Sequence, residues 1–320
     1  MPVCPLTGGD MRRWMTVRSD WRRPEVADSH TLWWSDAAAY GALFPRPSGQ
    51  EVAAFYDFAE YYTHRSDGAM SRRRATSLAL RILMAIAYRL DHGHEPVLDW
   101  WERLLPDARR HCLEIGCGAG GDMELLSPYF ETITGVDPDR RACRVARDRG
   151  LTVHEAIAED LPQAVRDMHY DLIVMLHVLE HCLDPLAALQ QAGSVLSDDG
   201  ILMVEVPNNQ ALGRSLKQDN WHWLDVPRHL NFFTEQSLTT ICARAGLKVQ
   251  RIEYRGYCRQ FDERWIATEA AIAARHEGRA EATAAEFTRH ALQQALLLAM
   301  TGLAPKARKY DSVRAICTRA

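Results

Sequence analysis

No stretch of this 320-residue sequence stays apolar long enough to cross a bilayer: the longest late run, Ala295–Met300, falls far short of the ~20 residues a spanning helix needs. Met1–Asp10 also lacks the charged region and apolar stretch of an export signal, so neither a membrane nor secretion is expected. Excess positive charge is missing as well. With 38 Lys and Arg against 42 Asp and Glu the formal charge is −4, which argues against a broad phosphate-binding face and so against nucleic acid as partner. The short runs Arg12-Arg13, Arg22-Arg23 and Arg72-Arg73-Arg74 read as solvated faces. Cysteine pairs are absent too. The eight cysteines, at 4, 112, 117, 143, 182, 242, 258 and 317, have neither the close pairing of a metal site nor the density of a disulfide scaffold. Reduced thiols in a cytoplasmic protein fit this spacing best.

What is present is an ordinary globular composition, 47% hydrophobic and 25% charged, enough for one large core with an accessory unit. Periodicity divides the chain into an irregular Trp- and Pro-rich beginning over residues 1–68, a helical lid or connector over 69–106, and a regular alternation of strands and helices from 107 to 320. The predicted strands are 112–115, 132–136, 151–154, 171–176 and 201–206, with helices between them, the order of a parallel β-α-β sheet. Asp184-Pro185 supplies an N-cap and first helical residue, and a helix runs from there to Leu196. Thr234 caps another helix, which ends at Gly246 before a strand over 247–254. An Ala-, Glu- and Leu-rich helical segment over about 263–303 then precedes a last weak strand at 312–318.

The chemistry concentrates where the first strand meets its helix, in Leu113-Glu114-Ile115-Gly116-Cys117-Gly118-Ala119-Gly120-Gly121. Glycines there allow a tight turn that brings backbone N–H groups and a helix N-terminus against a ligand. Read as G-x-G-x-x-G through Gly116, Gly118 and Gly121, with Asp137 about 20 residues on, the run also suits a nicotinamide-dependent oxidoreductase. Glu114 tips the balance. A carboxylate two residues before the first glycine attracts an ammonium group and repels a pyrophosphate.

Further blocks extend the pattern: Gly135-Val136-Asp137-Pro138, Ala158-Glu159-Asp160-Leu161-Pro162, Leu176-His177-Val178-Leu179-Glu180-His181, Gly200 to Asn208, and Trp223-Leu224-Asp225-Val226-Pro227-Arg228-His229-Leu230. In these blocks the chain resembles the class I S-adenosylmethionine (SAM)-dependent methyltransferases, in the branch holding ubiquinone-type O-methyltransferases and many bacterial biosynthetic enzymes. The resemblance covers roughly residues 95–256. It implies an α/β Rossmann-like sheet of seven strands in the order 3-2-1-4-5-7-6, with residues 263–303 inserted before the last strand. It also implies SAM as cofactor, S-adenosyl-L-homocysteine as product, no metal, and a small-molecule acceptor that the sequence does not identify. O- or N-methylation in a biosynthetic pathway is the prior expectation.

Carried over position by position, the resemblance places Glu114, Gly116, Cys117, Gly118 and Gly120 at the methionine end of SAM. Asp137 and Pro138 fall at the ribose, and Ala158 and Glu159 at the adenine. Ile157 stands where the family often has an acid. Leu176 and His177 would lie beside the sulfonium. His177 and His229 are the candidate general bases, each with packing as the alternative reading, and a working base at His229 predicts about a 100-fold loss in His229→Ala. Tyr62, His181, Trp223, Arg228 and His229 are the candidate acceptor contacts, with Tyr61 and His64 beside Tyr62 in a segment that closes over the pocket.

The first residues resemble a zinc ribbon that has lost its ligands: Cys4-Pro5-Leu6-Thr7-Gly8 keeps one cysteine of a knuckle, and Trp14, Trp21, Trp33 and Trp34 would replace the metal by packing. His92-x-His94 has the spacing of a metal pair and reads as a polar helix end. The apolar face of residues 291–300 is buried either within the monomer or in a homodimer. A non-catalytic SAM-binding or partner subunit is the rival from another functional class.

Overall fold

Short runs of β-branched and aliphatic residues separated by glycine turns build a seven-stranded sheet in the computed structural model, which describes residues 1–23, 25–26, 28–56, 78–91 and 110–320. The chain opens with strands β1 (Arg12–Val17), β2 (His30–Ser35) and β3 (Tyr40–Phe44), followed by helices α1 (Gly49–Ala54) and α2 (Leu78–Leu90). The main sheet then begins with β4 (His111–Ile115), α3 (Gly121–Leu126), β5 (Thr132–Asp137), α4 (Arg140–Asp148) and β6 (Thr152–Glu155). It continues through α5 (Gln163–Arg166), β7 (Tyr170–Leu176), α6 (Pro185–Ser194) and β8 (Leu196–Pro207). After α7 (Leu212–Lys217) and β9 (Asn231–Phe232) come α8 (Glu235–Arg244) and β10 (Leu247–Arg255). The chain closes with α9 (Glu263–His276), α10 (Ala284–Thr301), α11 (Lys306–Lys309) and β11 (Ser312–Arg319).

The strand order of the large sheet is β6-β5-β4-β7-β8-β11-β10, the expected order 3-2-1-4-5-7-6. The first five strands are parallel, while β11 runs antiparallel to both β8 and β10. Central β7 is buried from Tyr170 to Met175, as a strand covered by helices on both faces requires. Capping follows the local chemistry. Asp184 accepts from the N–H groups of Leu186 and Ala187, and Thr234 forms a reciprocal capping box with Ser237. Helix α6 stops at Ser194, short of the expected Leu196, because Leu196 is already paired with Tyr170 and the next aligned pair is Leu172 with Ile201. Residues 197–200 bulge from the ladder between them.

The beginning of the chain is more regular than its composition suggests. β1, β2 and β3 form an antiparallel meander whose fourth strand, β9, comes from almost 190 residues later, with Gly41 opposite Phe232. Trp14 packs against Trp34 and Phe232 at centroid distances of 4.9 and 5.6 Å. Ahead of it, Val3 bridges Asp10 around a turn in which the Gly8 N–H donates to the Cys4 carbonyl at 2.8 Å, and the Cys4 side chain is buried with Leu6, Met11 and Tyr40. Arg46, from the Phe44-Pro45-Arg46-Pro47 stretch, donates to the carbonyls of Leu230 and Leu183, both at 2.7 Å, and so ties this sheet to the loop that follows β7.

The insertion between β10 and β11 is a pair of helices, α9 and α10. The apolar face of α10 divides: Leu297 and Leu298 pack with Tyr257, Phe261, Leu80 and Leu83, while Leu292, Leu296 and Met300 are exposed. No helix among the described residues is long and apolar enough to cross a membrane.

Candidate functional site

The carboxyl ends of the parallel strands open into a cavity of about 1870 Å³, where an α/β sheet presents its ligand site. Three parts of the chain wall it. The main sheet supplies the floor, the N-terminal region contributes Trp21, Arg22, Val52 and Tyr56, and α9 contributes Ala267, Thr268, Ala271 and Arg275.

At the end of β4, the Gly116 N–H donates to the Val136 carbonyl at 2.7 Å, with φ at +78°. A Cβ on Gly116 would lie 2.3 Å from Val178 Cγ2, so no other residue fits this turn without displacement. Glu114, 5% exposed, keeps one carboxylate oxygen, Oε2, without a hydrogen-bond partner. Burial, reinforced by Asp122 and Asp137, pushes its carboxyl well above the ordinary range. A cation in the cavity would relieve both costs. On the next strand, Asp137 accepts from the N–H of Gly118 with one oxygen and of Asp139 with the other, both at 2.8 Å. Burial pushes it up to about 6 against the pull of those two donors.

Glu114, Gly116, Cys117, Gly118, Asp137, Pro138, Ala158, Glu159, Leu176 and His177 all line the cavity. Gly120 does not. It is the N-cap of α3 at φ +84°, where a Cβ would strike Leu151 Cδ1 at 2.2 Å, so its work is to seat the helix on the neighbouring strand. Ile157, in the place of the familiar acid, is a half-exposed wall residue.

Past the end of β7, His177 takes φ +56°, a sparsely populated conformation for a residue with a Cβ. Its Nδ1 lies 3.2 Å from Glu180 Oε1 and its Nε2 3.3 Å from Glu205 Oε1, and the ring stacks on Trp223 at 4.3 Å and 11°. Burial pulls the imidazole down, yet the two carboxylates prevail and hold it at about 9. His177 is therefore an imidazolium at neutral pH with both nitrogens engaged, the opposite of the free base the sequence suggests. Glu205 is fixed in turn by Arg314 on β11, 2.5 Å away. Although burial raises Glu205, Arg314 and His177 outweigh it and keep the group ionised. Nothing local in the sequence marks this ion pair, because it forms only when β11 inserts antiparallel beside β8.

His181, Trp223 and His229 also line the cavity, His181 and His229 meeting edge to face at 4.6 Å. His181 thus faces the cleft. Burial, with His181 as neighbour, presses His229 down to about 3. Arg228 is a correction: it is fully buried behind the wall, bonded to Asp20 at 2.7 Å and Asp225 at 2.9 Å, and holds the N-terminal region in place. Tyr62, with Tyr61 and His64, lies outside the described residues, as does the pair His92 and His94. Sequence reasoning missed Trp21, Arg22, Tyr56 and Arg275 as cavity walls, since each reaches the cleft from a segment with no methyltransferase motif.

A model of the methyltransferase-domain family matches residues 89–252, just over half of the chain. Among individual relatives, the chain is 27% identical over 160 residues to a ubiquinone biosynthesis O-methyltransferase of Haemophilus ducreyi, covering 45% of this chain and 67% of the relative. It is 29% identical over 175 residues to the protein of that name from Cereibacter sphaeroides, covering 50% and 70%. It is 32% identical over 151 residues to a probable S-adenosylmethionine-dependent methyltransferase of Mycobacterium tuberculosis, covering 46% of this chain and 52% of that one. The chain therefore spans from about half to about seven tenths of the length of these relatives. A solved SAM-dependent methyltransferase from Archaeoglobus fulgidus aligns over 74% of this chain and 94% of its own at 15% identity, with a TM-score of 0.47. The family match displaces the nicotinamide reading, and with the glycine turn, the buried Glu114 and the sheet order in place, the chain belongs to the methyltransferase-domain family as a class I SAM-dependent methyltransferase.

Proposed function

We propose that this enzyme methylates a hydroxyl oxygen of a small biosynthetic intermediate. SAM supplies an electrophilic methyl group on a sulfonium. In this reading Glu114 holds the ammonium of the methionine moiety, Gly116, Cys117 and Gly118 form the turn beside it, Asp137 and Pro138 take the ribose, and Ala158 and Glu159 flank the adenine. Leu176 and His177 border the reacting sulfur. The observation that carries the reading is the orphaned Glu114 oxygen in a cavity roomy enough for cofactor and acceptor together. The names of the ubiquinone O-methyltransferase relatives favour oxygen as acceptor atom.

The acceptor half is built by the accessory parts: residues 1–68 supply Trp21, Arg22 and Tyr56, and the insertion supplies Arg275, opposite Trp223, His181 and His229. His177 orients Trp223 by stacking and has no ring nitrogen open to take a proton. Aromatic walls along the cleft would limit water at the sulfonium and align a flat acceptor. Calorimetric titration with SAM and S-adenosyl-L-homocysteine, repeated on Asp137→Ala, tests the cofactor half. Binding that is lost in the variant, followed by radiolabelled methyl transfer onto a panel of phenols and aliphatic alcohols, supports the proposal. Transfer onto amines alone would refute the choice of oxygen, and SAM binding without turnover on any acceptor would favour a non-catalytic subunit.

A further inference from the structure

We infer that Glu180, His181 and His229 form a binding site for one divalent transition-metal ion at the acceptor side of the cleft. Each residue offers one ligand atom, and the three atoms lie within 4.8 Å of one another. Glu180 is 1% exposed; its Oε1 meets His177, while its Oε2 is buried without any hydrogen-bond partner. An orphaned carboxylate oxygen in the interior costs free energy that a bound cation would return.

The two imidazoles are oriented as metal ligands are. His181 Nδ1–H donates to the Arg228 carbonyl at 3.1 Å, with the Tyr56 hydroxyl also 2.8 Å away, and His229 Nδ1–H donates to the Trp223 carbonyl at 2.8 Å. A carbonyl on Nδ1 sets the tautomer that leaves the Nε2 lone pair available, and neither Nε2 has a hydrogen-bond partner among the described residues. Two imidazole nitrogens with one carboxylate oxygen suit zinc, cobalt, manganese or iron in the divalent state better than magnesium or calcium. Three protein ligands leave a coordination position open, and both histidines line the cavity.

The role of such an ion rests on the O-methylation reading; its binding does not. An acceptor hydroxyl on the open position loses its proton to solvent more readily, because the ion stabilises the resulting oxyanion. The oxygen then forms its bond to the methyl carbon as the carbon–sulfur bond breaks, and S-adenosyl-L-homocysteine carries away the electron pair. That arrangement would supply the activated acceptor which His177, with both nitrogens engaged, does not.

The test uses the full chain, stripped with a chelator, freed of it, and titrated with Co²⁺ while visible d–d absorption is recorded. The expected result is saturation at one ion per chain, displaced by Zn²⁺, and loss of the band in His181→Ala and His229→Ala, with folding checked by circular dichroism. No saturable band in the unmodified protein overturns the inference, and that measurement stands even if the variants fail to fold. A band that survives in the double variant also overturns it, by placing the ion elsewhere, for instance on His92 and His94. S-adenosyl-L-homocysteine binding, measured by calorimetry on the same samples, separates the two readings. Its absence beside an intact cobalt band would sink the methyltransferase assignment and leave the metal site standing.

Discussion

Asp137 is the side chain through which the proposed cofactor binding would couple to pH. Burial raises its carboxyl to about 6 in the ligand-free protein, while in the proposed cofactor site the ribose hydroxyls of SAM would donate to the ionised form. A raised acid stabilises the fold fully below its unfolded value near 3.8, and that contribution is lost as pH rises through about 6. Binding has the opposite sign. SAM affinity should be level above about pH 6 and fall towards tenfold per unit below it, and Asp137→Asn should bind weakly with that slope reduced by about one proton. Calorimetry across the range checks this; equal affinity on both sides of pH 6 would remove Asp137 from the cofactor site. Glu114→Gln keeps the shape and removes the charge, so it should weaken SAM by about 10- to 100-fold, the worth of a charge-assisted hydrogen bond. Both acids were legible in the sequence because each sits at a fixed offset from a strand end. His177 was legible in position but not in protonation, which Glu180 three residues on and Glu205 from β8 set together.

At the level of elements, the turn between β4 and α3 is the most demanding. Gly116→Ala introduces a Cβ 2.3 Å from Val178 Cγ2 at a backbone angle that L residues avoid, so we expect SAM binding to drop by more than ~10-fold and stability by about 1–3 kcal/mol. Adding Val178→Ala should recover part of the loss by removing the clash and none of the backbone strain. Thermal melts and titrations of the single and double variants decide, and full recovery would show that the angle is unimportant. The parallel strands were legible because each is a short apolar run bounded by turns. The N-terminal meander was not, since its strands carry Arg, Trp and Thr without clean alternation, and its last ladder partner, β9, is only two residues long.

Across the whole molecule, Arg228 joins Asp20 of the N-terminal region to Asp225 of the catalytic wall with no exposed surface of its own. Removing Arg228 leaves the buried carboxylates of Asp20 and Asp225 with one arginine each, Arg23 at 3.1 Å and Arg22 at 2.9 Å, so Arg228→Met should cost about 3 kcal/mol, the low end for breaking a buried ion pair. Because the network ties the segment after β1 to the loop that carries Trp223 and His229 into the cleft, calorimetric unfolding should remain a single transition at a lower midpoint; a separate early transition would show that the N-terminal region unfolds by itself. The sequence by itself determined the parallel order of the sheet, the turn at Gly116 and the acids at 114 and 137, because these depend on local periodicity and on residues a fixed distance from strand ends. Tertiary structure alone decided that His177 is clamped by carboxylates from two segments, that Arg228 serves the interior, and that Trp21, Tyr56 and Arg275 enclose the cleft. Those outcomes depend on which distant segments meet and on how much water their meeting expels, and neither quantity is encoded in a local pattern of residues.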